Sequence, residues 1–223
     1  MTKHERLLTL AKLRQSSTWP GYHSIADFHD GVYECDHVSP YTKSAGNVDA
    51  AVMILLQDWS GADALSGPLD VGARDLGYTP TEATNRNLQR LLKDTFGLSL
   101  ADTYATNLFP FVKPGGMSES IPDRDLLRAA REFALPQIEI VAPRLVICLG
   151  KVTVDAVRSA AGFPKSASVE DALQSYFQLG PSRVWFQAHT GRLGQNNRNR
   201  GGVNRVDGDW LRMKESLPHP TRS

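Results

Sequence analysis

The apolar residues of this chain fall into two patterns, unbroken short runs and spaced repeats, and the two alternate. Residues 50–56 are seven apolar side chains in succession, and they stop abruptly at Gln57-Asp58 before Trp59-Ser60-Gly61. A short continuous run bounded by polar and turn residues reads as a strand buried on both faces. Three further strands are predicted: 103–107, ending in Thr106-Asn107; 144–150, Arg-Leu-Val-Ile-Cys-Leu-Gly; and 183–188, running into His189. Helical spacing fills the intervals. Asn87, Leu88, Leu91, Leu92 and Phe96 form a helix closed by Gly97. Another opens with Pro122 at its first position and is kinked by Pro136, a third covers 152–161, and Trp210, Leu211 and Leu217 belong to a last one. Residues 3–15 are an amphipathic helix carrying Leu7, Leu8, Leu10, Ala11 and Leu13.

Between these elements the pattern fades. Residues 16–49 read as an irregular wrapping segment of low information, and 59–83 as a long connection rich in glycine and proline. Residues 163–181 are ambiguous, with a short helix over 169–177, and 190–205 form a loop of glycine, asparagine and arginine. Strand alternating with helix predicts βαβ units and an α/β fold around a mostly parallel sheet of four strands. One domain is expected over 1–223, with its core at 50–217 and the N-terminal helix and wrapping segment at 1–49.

Composition narrows the chemistry. A formal charge of +1 over 223 residues excludes a global polyelectrolyte surface, so any nucleic-acid site is a local patch. The two cysteines, Cys35 and Cys148, fit a reducing cytoplasm and exclude a four-cysteine iron–sulfur site; Cys148 lies within an apolar run and is read as a buried free thiol. No run reaches membrane-spanning length, and the charged opening segment is not a signal peptide. A soluble monomer without cofactor or metal is expected. Gly150-Lys151-Val152-Thr153 is not a phosphate-binding loop, since Leu145 stands where the first glycine belongs and Val152 where a hydroxyl belongs.

Three strands of this parallel arrangement end in groups able to do chemistry: Asp58, Asn107 and His189. Ligands of open α/β sheets bind beyond the carboxyl ends of the strands, so the three define a candidate site. Each alone has an ordinary explanation, a turn cap for Asp58 or a turn former for Asn107. Together, in order and spacing, they resemble the uracil-DNA glycosylase superfamily from about residue 50 to 217. The first strand of that superfamily ends in a water-activating motif, Gly-Gln-Asp-Pro-Tyr-His in its best known branch; here it is Leu56-Gln57-Asp58-Trp59-Ser60-Gly61. Thr106-Asn107-Leu108 is similar to the family's base-reading asparagine motif. Residues 145–150 match its apolar strand ending in Leu-Gly. His189-Thr190-Gly191-Arg192-Leu193 corresponds to His-Pro-Ser-Pro-Leu, whose leucine wedges into the duplex.

The resemblance implies a three-layer α/β/α fold and a DNA glycosylase acting on a flipped-out base. Asp58 and His189 become the catalytic pair, a carboxylate that positions water and stabilises the sugar cation and a donor for the departing base. Asn107 reads the base edge, with Gln57, Trp59, Ser60 and Tyr78 around it; Tyr78 is the first choice for the stacking aromatic and Trp59 the second. Leu193 is the wedge. DNA is the expected partner through the basic loop 190–205. Five arginines lie between 183 and 205 with no acid before Asp207, and Arg192, Arg198 and Arg200 are assigned to phosphates. Lys113, in Lys113-Pro114-Gly115-Gly116, is a second phosphate contact or part of an ordinary turn. Ser60 stands where the best known branch has the tyrosine that excludes a C5 methyl, so the pocket is expected to admit uracil or a pyrimidine enlarged at C5. A base-excision enzyme acting in repair, or in defence against phage with modified DNA, follows; the alternative is a DNA-binding relative that kept the fold without catalysis.

Overall fold

The computed structural model describes residues 1–217. In chain order its helices and strands are α1 (Lys3–Ser16), β1 (Val52–Asp58), α2 (Ala62–Leu65), α3 (Val71–Leu76), α4 (Ala83–Phe96), β2 (Tyr104–Phe109), α5 (Asp123–Ala129), α6 (Leu135–Val141), β3 (Leu145–Leu149), α7 (Lys151–Ala160), α8 (Val169–Gln174), β4 (Phe177–Leu179), β5 (Ser182–Gln187), α9 (Arg192–Arg198) and α10 (Arg205–Glu215). The strands form one five-stranded sheet in the order β2-β1-β3-β5-β4. All neighbours are parallel except β4, which pairs antiparallel with β5.

The unbroken apolar runs are explained by two cores, one on each face of the sheet. Met53 and Leu55 of β1, with Val146 and Cys148 of β3, pack against α5, α6 and α7 through Leu126, Ile138 and Val157. Their alternates Val52, Ile54, Leu56, Leu145, Ile147 and Leu149 pack against α4 and α10 through Leu88, Leu91, Leu92, Trp210 and Met213. Successive side chains of a strand point to opposite faces, so both sets must be apolar. Cys148 is a buried free thiol, as expected, and burial pushes its pKa up. Among the described residues no helix is long and apolar enough to cross a membrane.

Several expectations are corrected. The sheet has a fifth strand, β4, because α8 stops at Gln174 and Phe177 turns back through Gly180-Pro181 to pair with Val184; three residues are too few to show a period of two. The connection 59–83 holds α2 and α3, the latter capped by the Asp70 carboxylate on the amide of Ala73. The loop 190–205 holds α9. Pro122 is the N-cap of α5, one residue outside the position expected. The kink assigned to Pro136 is a π-helical turn, Ala130–Ala134, just before α6. Proline has no amide hydrogen and its ring crowds the carbonyl four residues back, so the widened turn accommodates it.

The wrapping segment 16–49 has a defined task. Strand β2 lies at one edge of the sheet, and residues 42–47 run beside it. The amide of Ala105 donates to the carbonyl of Ala45 at 2.8 Å, the amide of Asn47 to that of Thr103 at 3.2 Å, and the Thr42 hydroxyl to that of Ala105 at 2.8 Å. Further upstream, Ile25, Phe28 and Tyr33 form a third apolar cluster with Leu65, Ala73 and Val112.

Candidate active site at the carboxyl edge of the sheet

Parallel strands bring their carboxyl ends to one edge, and there the fold encloses a cavity of about 860 Å³. The registers set what meets in it. Leu56 lies beside Asn107 and Asp58 beside Phe109; Leu149 lies beside Gln187, two residues before His189. Asp58, Asn107 and His189 all line the cavity, together with Gln57, Trp59, Ser60, Tyr78, Arg192 and Leu193.

Asp58 ends β1 and is not alone. Its Oδ2 lies 2.8 Å from Nζ of Lys113, with side-chain exposures of 9% and 3% for Asp58 and Lys113. The ammonium also donates to the carbonyl of Met117 at 2.6 Å. Lys113 is therefore not a surface phosphate contact. It is folded inward because Gly61 bridges to it, the amide of Ala62 donates to its carbonyl, and the turn after β1 packs against the segment 113–116. A Cβ on Gly61 would lie 2.7 Å from the carbonyl oxygen of Gly115, so this close approach requires glycine. Two opposite charges share the buried site, and each makes the other's burial tolerable.

Asn107, at the end of β2, is 1% exposed. Its Oδ1 accepts a hydrogen bond from the Ser39 hydroxyl at 2.5 Å. Its Nδ2 is buried and makes no hydrogen bond among the described residues. Asn107 thus lines the cavity with an amide nitrogen that has no partner among the described residues.

His189 follows β5. Its Nδ1 accepts from the amide of Gly191 at 3.0 Å, which leaves the proton of the neutral ring on Nε2. Burial lowers the imidazole pKa below its ordinary value, and the negative charge of Asp58 acts in the opposite direction. The loop that carries the ring is tied to α4: Thr190 donates its hydroxyl to the carbonyl of Thr84 at 3.0 Å, and Asn87 donates to the carbonyl of Thr190 at 2.8 Å. Two glycines are required by crowding. A Cβ on Gly191 would lie 2.9 Å from His189 Nδ1, and one on Gly194 would lie 2.1 Å from the His189 carbonyl oxygen.

The aromatic candidates differ in how they are held. Trp59 donates its indole N–H to the carbonyl of Gly77 at 2.9 Å and sits edge-on to Tyr33 at 5.5 Å. Tyr78 stacks on Tyr41, with centroids 5.2 Å apart and planes 23° from parallel. Tyr33 and Tyr41 also line the cavity. Both come from the wrapping segment, as does Ser39, and sequence reasoning passed over all three because nothing periodic marks them. It also passed over Asp70, Thr79, Glu82 and Glu119, which make part of the wall acidic and hydroxylated. Ser60 is 9% exposed and lines the cavity as a small side chain.

The rim carries two exposed apolar side chains: Leu193, 75% exposed in the first turn of α9, and Met117, 56% exposed. Arg192 beside Leu193 is exposed at the mouth. Arg198 is not available to phosphates. It pairs with the buried Asp209 at 2.6 Å and with Glu170 at 3.5 Å, an anchor of α9 onto α10. Arg200 is exposed but lies outside the cavity lining, bonded to Asn197 at 3.3 Å. Among the described residues no group of three or more His, Cys, Asp or Glu side chains converges to hold a metal ion.

A carboxylate, a neutral imidazole donor and a buried amide donor around one cavity suit the cleavage of a bond whose two fragments develop opposite charges. No protein-family profile matches this sequence, and no curated protein matches it.

Proposed function

We propose that this chain is a monofunctional DNA glycosylase of the uracil-DNA glycosylase superfamily. It hydrolyses the N-glycosidic bond of a flipped-out uracil or C5-modified pyrimidine and leaves an abasic site. The observation that carries this reading is the convergence of Asp58, Asn107 and His189 on one cavity at the carboxyl edge of a parallel sheet. The three-layer α/β/α arrangement of that superfamily is supported by the two cores on opposite sheet faces.

In the proposed reaction the C1′–N bond breaks, the base leaves with the bonding pair, and a water oxygen bonds to C1′. Asp58 stabilises the sugar cation and takes the water proton; Lys113 holds the carboxylate in place. His189 donates from Nε2–H to the anionic base, and Asn107 donates to an acceptor on its edge. Leu193 fills the gap left in the stack, and Arg192 meets the flanking backbone. A cavity of about 860 Å³ encloses whole small ligands, whose pockets run to roughly 300–1,000 Å³, so there is room beyond a bare pyrimidine. Ser60 opens the wall beside Asp58, and Asp70, Thr79, Glu82 and Glu119 supply acceptors for a hydroxyl-bearing C5 substituent. Such an enzyme acts as a cytoplasmic monomer, in repair or in defence against phage whose DNA carries modified bases.

The second reading, a DNA-binding protein without catalysis, is favoured by one observation: the Lys113 ammonium neutralises Asp58. The two are separated by incubating the protein with oligonucleotides carrying uracil, thymine, hydroxymethyl and glycosylated pyrimidines and scoring abasic sites. Excision from at least one substrate, abolished by Asp58→Ala with DNA binding retained, supports the enzyme. DNA binding without release of any base supports the alternative.

A further inference from the structure

We infer that Ser39 is a specificity-determining residue: it fixes the polarity of Asn107, so that the site reads a hydrogen-bond acceptor on the base. This rests on the glycosylase reading above and adds to it a residue outside the five strands. Ser39 is 1% exposed and sits at the N-cap of a short 3₁₀ turn, Pro40–Lys43. Its Oγ accepts from the amide of Tyr41 at 3.2 Å and lies 2.5 Å from Asn107 Oδ1. An oxygen–oxygen separation this short belongs to O–H···O geometry and is too short for an amide nitrogen in the same place. The hydroxyl proton therefore points at Asn107, and the asparagine is turned with its oxygen toward Ser39.

The other end of the amide supplies the consequence. Nδ2 is buried, lacks a partner among the described residues, and belongs to a residue lining the cavity. A buried amide that keeps both hydrogens unpaired is costly unless a ligand takes them. The chain of bonds starts at the Tyr41 amide, which can only donate, and the short oxygen–oxygen separation commits the single Ser39 proton to Asn107. It runs from Tyr41 through Ser39 to Asn107 Oδ1 and leaves NH₂ as the group presented to the base. A carbonyl oxygen or an unprotonated ring nitrogen satisfies it; an exocyclic amino group in that place meets donor with donor. The Thr42 hydroxyl bond to the carbonyl of Ala105 holds the turn against β2, so Ser39 does not follow Asn107 if the amide rotates.

The test compares two pyrimidines that share a C5 substituent, one with a 4-keto and one with a 4-amino group, in otherwise identical oligonucleotides. Base release is measured as kcat/KM for the unmutated protein, Ser39→Thr, Ser39→Ala and Asn107→Asp. The ratio of the two substrates is expected to survive Ser39→Thr, which keeps the hydroxyl, and to fall at least tenfold in Ser39→Ala, whose amide is free to turn over. Asn107→Asp keeps an oxygen for Ser39 but loses the donors, and release of the preferred base falls at least tenfold. A folded Ser39→Ala that keeps the ratio overturns the inference while leaving the glycosylase reading intact. If the unmutated protein releases neither base, that reading fails, and the polarity is tested by titrating the two free nucleosides into the same proteins. An unchanged ratio of dissociation constants in Ser39→Ala, or no binding of either nucleoside by the unmutated protein, then overturns the inference.

Discussion

Lys113→Met removes one half of the ion pair inside the cavity and tests whether Asp58 depends on it. The charges lie 2.8 Å apart, with the two side chains 9% and 3% exposed for Asp58 and Lys113. At an effective dielectric constant near 20 their attraction is about 6 kcal/mol, most of which offsets the cost of taking both groups out of water. What breaking the pair exposes is the uncompensated charge left behind, a penalty of about 3–5 kcal/mol for a buried partner. For a chain of this size the melting midpoint shifts by about 2–4 °C per kcal/mol, so Lys113→Met is expected to melt at least about 6 °C below the unmutated protein. Asp58→Asn is expected to lose a similar amount. The double variant carries no buried charge at this place, and its loss is expected to be smaller than the sum of the two by about 2 kcal/mol or more. Urea denaturation of all four proteins closes the cycle. Losses that simply add, within about 0.5 kcal/mol, would show that the pair does not couple and that Lys113 is a bystander. Below its own midpoint, Lys113→Met is also expected to release base at least about tenfold more slowly, because Asp58 has lost the donor that positions it.

Three further outcomes follow from the geometry. His189 has its pKa lowered by burial, so the folded state binds fewer protons than the unfolded one; its contribution is full above the ordinary histidine range and is lost as pH falls through that range toward the folded value. Melting midpoints across that interval are expected to fall with pH in the unmutated protein and less steeply in His189→Asn; equal slopes would refute it. Arg198→Ala is expected to cost stability, about 1–3 kcal/mol, by leaving the buried Asp209 with only Arg212 at 3.5 Å, whereas Arg192→Ala is expected to leave the midpoint alone and to lower the salt dependence of DNA binding by about one unit of slope; the reverse pattern in melting and binding titrations would reject the assignment. Gly194→Ala places a Cβ 2.1 Å from the His189 carbonyl, so base release is expected to drop at least as far as in Leu193→Ala, with a lowered midpoint that Leu193→Ala, at 75% exposure, does not share.

The core of the fold was legible because burial on both faces leaves an unmistakable mark. Residues 50–56 and 145–149 could be apolar throughout only if helices covered both sides, and they do. The strand ends were legible for the same reason: a polar residue directly after such a run has to lie at the sheet edge. Residues that reach the site by irregular backbone left no such mark. Ser39, Tyr33 and Tyr41 lie in a segment whose apolar residues follow no period, and its attachment to β2 through the carbonyl of Thr103 and the amide of Ala105 is backbone hydrogen bonding, which sequence does not display. Charge was the least legible property. Lys113 and Arg198 look alike as surface cations, yet one is turned into the cavity by a bridge to Gly61 and the other is held by Asp209. Only the partner distinguishes them, Asp58 lying far upstream of Lys113 and Asp209 on the α-helix that follows Arg198.

That distance has a consequence for the timing of assembly. Asp58 and Asn107 become neighbours only when β1 and β2 pair in parallel, and His189 joins them only after β3 and β5 have been added on the other side. Parallel pairing between remote segments is paid for in chain closure before its contacts form, which makes such topologies slow to fold. No stretch of this chain shorter than the whole sheet contains the set, so a growing or partly folded polypeptide holds the carboxylate without the donors. A chain in which β5 has not docked therefore lacks the complete set, and under the proposed glycosylase reading it releases no base.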